Sequence, residues 1–177
     1  MERVCVFAGS RPGFRPSYLE AARDLGSGLA QRGLGMVYGG TSVGLMGACA
    51  DAALAGGAEV TGVLPRALTS REIAHKGITE LRIVSTLHER KAVMSALSDA
   101  FIALPGGSGT LDELFEALTW RQLGLHDKPI GLLDVDGYYQ DLIKFLEKAA
   151  SEGFYPEGGL VVRRTAGELL DTLLPGR

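Results

Sequence analysis

Short runs of apolar residues recur along the chain, and each is about as long as a β-strand. The runs do not alternate with polar residues, which is typical of strands that are buried on both faces, as in a parallel sheet. The pattern therefore predicts a set of buried parallel strands. The runs cover residues 4–8, 34–38, 60–64, 81–84, 100–104 and 130–133.

Segments with helical spacing separate these runs, and several carry a helix-start signal. In a capping box, a Ser or Thr and a Glu three residues later satisfy the free N–H groups at the start of a helix. A further helix is predicted over residues 138–150 from its apolar face, with Gly153 placed to end it. The capping-box matches are Ser17 with Glu20, Thr86 with Glu89, Thr110 with Glu113, and Thr165 with Glu168.

The alternation of strands and helices predicts an α/β fold. Right-handed crossovers place helices on both faces of the sheet, which gives a Rossmann-like, doubly wound parallel sheet. The length of 177 residues suits one domain, so residues 1–177 are expected to form a single Rossmann-like nucleotide-binding domain. Residues 65–77 show weak periodicity and are expected to form a surface excursion or a lid.

Composition and charge narrow the classes of partner. The net charge is −3, so no basic excess indicates nucleic acid, and a phosphate would have to be bound by a local site. No apolar stretch approaches the length of a membrane span. The first ten residues lack the pattern of a secretory signal, and Cys5 and Cys49 have no paired spacing. A cytoplasmic protein with buried free thiols, and with no membrane partner, is expected.

Glycines follow three of the predicted strands. Gly9 follows the first strand, the pair Gly39 and Gly40 follows the second, and the pair Gly106 and Gly107 follows the fifth. In a parallel sheet these ends lie along one edge, where ligands bind. The second and fifth strands continue through glycines into helices, whose free N–H groups attract anions. Tight turns alone remain the alternative for either motif, but the two together favour a nucleotide-sized anion.

Several well-known sites do not fit these motifs. Neither motif is G-x-G-x-x-G, which argues against NAD, and no P-loop string occurs. Residues 40–44 read G-x-S-x-G, as in a hydrolase nucleophile elbow, but no histidine follows late enough in the chain to complete that arrangement. The histidines show no metal-ligand spacing, so no metal is expected. They are His75, His88 and His126.

Four motifs, spread over nearly the whole chain, resemble those of one family. They are P-G-G-x-G-T-x-x-E at residues 105–113, TLHERK at 86–91, VFAGSR at 6–11 and DGYYQDLIKFLEKAASEGF at 136–154. This is the LONELY GUY family of cytokinin riboside 5′-monophosphate phosphoribohydrolases, whose members were often labelled lysine decarboxylases. The resemblance implies a Rossmann-like homodimer that releases free base and ribose 5-phosphate from N6-substituted adenosine monophosphate.

The resemblance also implies roles for individual residues. Arg90 and Glu113 are expected to be catalytic. For Met94 a core position is the alternative, and for Glu116 the alternative is a solvated position on a helix. The residues that match the family's nucleotide-binding positions are Gly39, Gly40, Thr41, Gly44, Gly106, Gly107, Gly109 and Thr110. Further candidates for substrate binding are Ser10, Lys91, Met94 and Glu116.

Elementary chemistry is compatible with the two catalytic assignments. A carboxylate near the ribose can stabilise a cation-like sugar or activate water, and a guanidinium can hold a phosphate and orient that carboxylate. Spacing alone favours a helix cap for Glu113, because Thr110 lies three residues earlier; the resemblance reverses that preference. On the same predicted helix, Glu116 and Trp120 share the face of Glu113, which indicates a pocket at a dimer interface.

No cofactor is expected. Decarboxylation normally uses pyridoxal phosphate attached to a lysine, and none of the five lysines lies in a recognisable site for that cofactor. The alternative to hydrolysis is a nonhydrolytic nucleotide or cofactor carrier with a Rossmann-like fold, because related folds bind phosphates without cleaving anything.

Overall fold

The computed structural model describes residues 2–69, 74–156 and 158–176. The strands are β1 (Arg3–Phe7), β2 (Gly35–Tyr38), β3 (Val60–Pro65), β4 (Glu80–Val84), β5 (Ala100–Ala103), β6 (Ile130–Leu133) and β7 (Leu160–Arg163). The helices are α1 (Pro16–Gln31), α2 (Gly44–Ala55), α3 (Arg66–Thr69), α4 (Leu87–Ala96), α5 (Ser108–Gln122), α6 (Gln140–Ser151) and α7 (Ala166–Leu173).

The seven strands of the described residues form one parallel sheet in the order β4-β3-β2-β1-β5-β6-β7. One apolar layer packs α1, α2 and α7 against one face of the sheet, and a second layer packs α4, α5 and α6 against the other. The predicted α/β class, with a Rossmann-like doubly wound parallel sheet, is therefore confirmed. The order of the strands along the chain reverses beside β1, which lies between β2 and β5. Ligand sites of such sheets form at this position.

The six predicted strands lie where the apolar runs indicated, within a residue or two at their ends. The seventh, β7, was not predicted, because it offers only three apolar residues before Arg163 and Arg164. The expectation of burial on both faces is wrong for β4. This strand is at the edge of the sheet, Ile83 is 40% exposed, and Arg82 pairs with Glu80 at 2.8 Å on the surface.

Two capping boxes are confirmed and two are wrong. The side chains of Thr86 and Thr165 accept hydrogen bonds from the backbone N–H groups three residues later, at 3.0 and 3.4 Å. Ser17 is not a cap, because α1 begins at Pro16; its hydroxyl instead donates to Asp136 Oδ2 at 2.6 Å. Thr110 is not a cap either, because α5 begins at Ser108 with a glycine at the cap position.

The helix predicted over residues 138–150 is present as α6, displaced by two residues at its start and one at its end. Gly153 has a φ of 79°, a conformation that favours glycine, and its N–H donates to Ala150 O at 2.9 Å. None of the described helices is long and apolar enough to cross a membrane.

The segment expected to be a surface excursion lies partly outside the described residues. Pro65 still belongs to β3, α3 follows it, and the structure describes the chain again from Ala74. There Ala74 forms an antiparallel bridge with Thr41, and the N–H of His75 donates to Gly40 O at 2.9 Å. The end of this segment is thus attached to the turn that follows β2.

Candidate active site

A cavity of about 660 Å³ opens at the carboxyl ends of the strands around β1. It is formed by the turns that follow β1, β2 and β5, together with side chains from α4 and α5. Its volume lies within the range of small-molecule sites, roughly 300–1,000 Å³. The glycine-rich turns that the sequence singled out therefore meet at one place.

The turns after β1 and β2 approach each other through Gly44, the first residue of α2. Gly44 has a φ of 63°, and a Cβ atom there would overlap the backbone of Ser10 and Arg11. The N–H of Leu45 donates to Gly9 O at 3.0 Å. Gly44 thus allows the two turns to pack together, and it is Ser10 of the neighbouring turn that lines the cavity.

The turn after β5 is packed just as closely. A Cβ atom on Gly106 would overlap Thr110 Oγ1, so only glycine fits at this position. Pro105 O accepts a hydrogen bond from Gly9 N–H at 3.0 Å, which joins this turn to the end of β1. The first N–H groups of α5 have no partner within the helix and carry partial positive charge, so the start of α5 can bind an anion such as a phosphate.

Arg90 and Glu113 meet on one wall of the cavity. Nη2 of Arg90 lies 3.6 Å from Oε1 of Glu113, and Nε of Arg90 donates to Val63 O at 3.1 Å. Both side chains are nearly buried, with 14% and 12% of their surface exposed. The guanidinium occupies space that a side chain on Gly39 would fill, so the residue that follows β2 must be glycine for Arg90 to reach this position.

The carboxyl group of Glu113 has an unusual acidity. Burial raises its pKa from 4.5 to about 7, although the positive charges of Arg90 and Lys91 act in the opposite direction. At neutral pH a substantial fraction of the group is therefore ionised and a substantial fraction is protonated. Perturbed groups of this kind are common among catalytic residues.

Lys91 lies beside this pair and contacts two carboxylates of α5. Its Nζ is 3.0 Å from Asp112 Oδ2 and 2.8 Å from Glu116 Oε2. Burial acts to lower the pKa of Lys91, but its hydrogen bonds with Glu116 and Asp112 outweigh burial and raise it. In this structure Lys91 and Glu116 pair with each other beside Glu113, in a small recess separate from the main cavity.

The structure brings most of the predicted site residues together. Met94 is only 1% exposed and packs in the layer between the sheet and α4, so it occupies a core position and does not line the cavity. Gly39, Gly40 and Gly44 lie behind the cavity and allow close packing around it, Gly40 against β3. The predicted residues that line the cavity are Ser10, Thr41, Arg90, Gly106, Gly107, Gly109, Thr110 and Glu113.

Other cavity residues were not selected from the sequence. Tyr138, which the sequence placed only in a helix, donates from its hydroxyl to Gly106 O at 2.6 Å. Its neighbour Tyr18 meets it edge to face at 5.7 Å between ring centroids. Leu68 of α3 and Met46 of α2 add apolar surface. A glycine followed by two tyrosines after β6 was the available signal for Tyr138, but no local pattern connects it with a turn that follows β5.

Comparison with known proteins places this geometry in a family. A family model described as "Possible lysine decarboxylase" matches residues 46–170. The cytokinin riboside 5′-monophosphate phosphoribohydrolase LOG3 of Arabidopsis thaliana is 51% identical over 174 residues, which are 97% of this chain and 81% of that protein. The enzyme LOG of Oryza sativa subsp. japonica is 50% identical over 171 residues, which are 95% of this chain and 71% of that protein.

Solved structures show the same fold at lower identity. The molybdenum cofactor carrier protein from Chlamydomonas reinhardtii aligns with a TM-score of 0.74 at 22% identity, covering 98% of both chains. The DNA processing protein A of Streptococcus pneumoniae aligns with a TM-score of 0.63 at 14% identity, covering 97% of this chain and 61% of that one. The family match and the identity to the two plant enzymes, together with the motifs that surround the cavity, show that this chain belongs to the LONELY GUY (LOG) family.

Proposed function

We propose that this protein hydrolyses the N-glycosidic bond of adenosine 5′-monophosphate and its N6-substituted derivatives, releasing the free base and ribose 5-phosphate. The observation that carries the proposal is the nearly buried pair of Arg90 and Glu113, on the wall of a cavity bounded by two glycine-rich helix starts. Relatives that are 50–51% identical are phosphoribohydrolases by name, which supports the same reaction here.

The phosphate is expected to bind at the start of α5. There Gly107, Ser108 and Gly109 line the cavity, and without bulky side chains at residues 107 and 109 an anion can approach the backbone. A phosphate at this position neutralises partial positive charge on the helix start, so the site needs no excess of basic residues. This fits a chain whose net charge is −3.

Glu113 is expected to act at the sugar. As the C1′–N bond breaks, its electrons leave with the base and positive charge develops on the ribose. An ionised carboxylate stabilises that charge, and it can take a proton from the water that adds to C1′. The departing base takes up a proton, which balances the proton that the water loses. Arg90 holds Glu113 from one side, and its own position is fixed by Val63 O.

This reaction needs no cofactor, and the decarboxylase description does not fit the cavity. The described residues that line it include no lysine that could carry pyridoxal phosphate. Lys91 lies nearby, but its Nζ is held by Asp112 and Glu116. Hydrolysis by Glu113 is therefore the better explanation of the residues present.

Release of base and ribose 5-phosphate from AMP and from N6-isopentenyl-AMP tests the proposal, with both products measured by liquid chromatography. We expect Glu113→Gln and Arg90→Ala each to reduce turnover on the order of 100-fold or more, because each removes a charge at the reacting centre. Asp112→Asn is a matched control on the same helix, since the Asp112 side chain is 64% exposed; it should stay within about threefold of the parent. Near-normal turnover of Glu113→Gln in a folded protein would contradict the proposal.

A nonhydrolytic carrier is the second candidate, and the shared fold with a molybdenum cofactor carrier is the observation behind it. That similarity concerns the fold alone, whereas the Arg90–Glu113 pair favours catalysis. Tight binding of nucleotide by the parent protein with no release of base would favour the carrier.

We propose in addition a cytoplasmic homodimer that uses neither nucleic acid nor membrane. The unpaired, buried thiols of Cys5 and Cys49 fit a reducing compartment. The outer face of α5 presents Phe115 and Trp120 beside a shallow groove, which suits a contact between two copies. Light scattering on the purified protein should give twice the mass of the chain, and Trp120→Glu should give the mass of one chain.

A further inference from the structure

The carbonyl groups of the three residues that directly follow β5 are each held by a hydrogen bond from another part of the molecule. The backbone that leads into α5 is therefore oriented one peptide at a time. The hydrogen bonds run from the Tyr139 hydroxyl to Leu104 O (2.6 Å), from Gly9 N–H to Pro105 O (3.0 Å), and from the Tyr138 hydroxyl to Gly106 O (2.6 Å).

The last of these hydrogen bonds also determines where an N–H group points. In a trans peptide unit the carbonyl and the N–H point in opposite directions within one plane. Because Tyr138 holds Gly106 O on its own side, it directs the N–H of Gly107 away from itself. Gly107 immediately precedes α5, and it lines the cavity.

Without such a hydrogen bond, the peptide unit that joins Gly106 and Gly107 can flip, because both of its residues are glycine. A Cβ placed on Gly107 meets nothing within 4 Å, so the close packing that surrounds Gly106 does not extend to this residue. A flip of the peptide would take the φ of Gly107 from −95° to about +85°, which glycine adopts readily. The flipped peptide would present a carbonyl oxygen, in place of an N–H, to a bound anion.

We infer that Tyr138 is a positioning residue for the substrate's phosphate group: its hydroxyl holds the Gly106–Gly107 peptide so that the N–H faces the anion. This inference rests on the proposed function and names the residue that orients its phosphate site. The ring of Tyr138 is held edge to face by Tyr18 at 5.7 Å and by Tyr139 at 4.8 Å. These two ring contacts orient the hydroxyl towards Gly106, although 44% of Tyr138 is exposed.

The affinity for ribose 5-phosphate, measured by calorimetry, tests the inference. Tyr138→Phe keeps the ring and removes only the hydroxyl, and we expect it to weaken binding about fivefold to tenfold, the effect of one lost hydrogen bond. Tyr139→Phe is the matched control, because it removes an equally short bond to a carbonyl two residues earlier; its affinity should stay within twofold of the parent. Unchanged affinity in Tyr138→Phe, or an equal loss in both variants, would overturn the inference.

A double-mutant cycle distinguishes positioning from direct contact with the phosphate. Gly107→Ala fits the observed backbone but disfavours a positive φ, so it resists the flip by itself. When Gly107→Ala is already present, adding Tyr138→Phe should therefore weaken the affinity for ribose 5-phosphate by less than about twofold. An equal loss in both backgrounds would mean that the hydroxyl binds the phosphate itself, and positioning would be refuted.

These measurements separate the inference from the proposed reaction. Ribose 5-phosphate has no glycosidic bond, so its affinity does not depend on turnover. If the parent protein released no base from either nucleotide, hydrolysis would fail while the cycle still decided the role of Tyr138. Normal turnover by the parent protein, together with an unchanged affinity in Tyr138→Phe, would support hydrolysis and refute the positioning role of Tyr138.

Discussion

A Cβ atom on residue 39 would overlap Nη2 of Arg90, so the glycine that follows β2 leaves free the space that the arginine of α4 occupies. The two residues are distant in sequence, but the arginine reaches Glu113 only because the glycine has no side chain. This relationship gives Gly39 a role that involves no contact between Gly39 and the cavity.

Gly39→Ala should therefore displace Arg90 and reduce kcat/KM for AMP at least tenfold, while the circular dichroism spectrum remains that of the parent. Gly167→Ala is the control, since a Cβ at that position in α7 meets nothing within 4 Å. We expect the control to keep full activity and equal or slightly higher thermal stability. Full activity in Gly39→Ala would mean that the position of Arg90 is unimportant.

The pKa of Glu113, raised by burial to about 7, predicts the pH dependence of turnover. If the ionised carboxylate is the active form, kcat/KM should rise with pH, with a midpoint near 7, and then level off. The measurement is kcat/KM between pH 5 and pH 9, because kcat/KM reports the ionisations of the free enzyme, the state to which this pKa belongs. A kcat/KM that fell through this range would indicate that the protonated form acts, as a general acid.

The same group links stability to pH. The pKa of Glu113 in the folded protein is above its ordinary value of 4.5, so the folded state binds the proton more tightly than the unfolded state does. Its contribution to stability is complete below about pH 4.5 and is lost as the pH rises through 7, in total on the order of 3 kcal/mol at most. The Tm of Glu113→Gln relative to the parent should therefore increase between pH 4.5 and pH 8. A difference in Tm between Glu113→Gln and the parent that stayed constant with pH would contradict this linkage.

Lys91 is expected to influence the pKa of Glu113. Its positive charge lowers the pKa of Glu113, so Lys91→Met should move the rising limb of the activity profile to higher pH. Lys148→Met removes a lysine from an exposed pair with Glu152, far from the cavity, and should leave the limb where it is. A limb unchanged in Lys91→Met would mean that Lys91 has no electrostatic effect on the site.

Five strands could be predicted because they are buried, and burial leaves continuous apolar runs in the sequence. The edge strand β4 was also predicted, although most of its residues are exposed. The exception, β7, is at an edge and only partly buried, so the signal was too short. The start of α5 was placed at the wrong residue for a related reason. Its cap is Gly107, which has no side chain to recognise, whereas Thr110 and Glu113 imitate a capping box inside the helix.

The part of the site that lies within local sequence motifs could be predicted. Glycine-rich turns and the P-G-G-x-G-T-x-x-E pattern marked the edge of the sheet and Glu113. The hydrogen bond from Tyr138 to Gly106 depends on how β6 and α6 follow β5 in space, which no local pattern encodes. The pairing of Lys91 with Glu116 likewise joins two helices, and it became visible only in the folded chain.

The charged surface of β4 limits how copies of this protein can meet. An exposed edge strand invites a strand from a second molecule, but Glu80 and Arg82 are ion-paired on this one, and joining strands there would strip water from both charges. A continuous intermolecular sheet is therefore disfavoured on the β4 side, even in concentrated solution. On this side, copies that associate are expected to do so through helices, which keeps the ladder of backbone hydrogen bonds at β4 within one molecule.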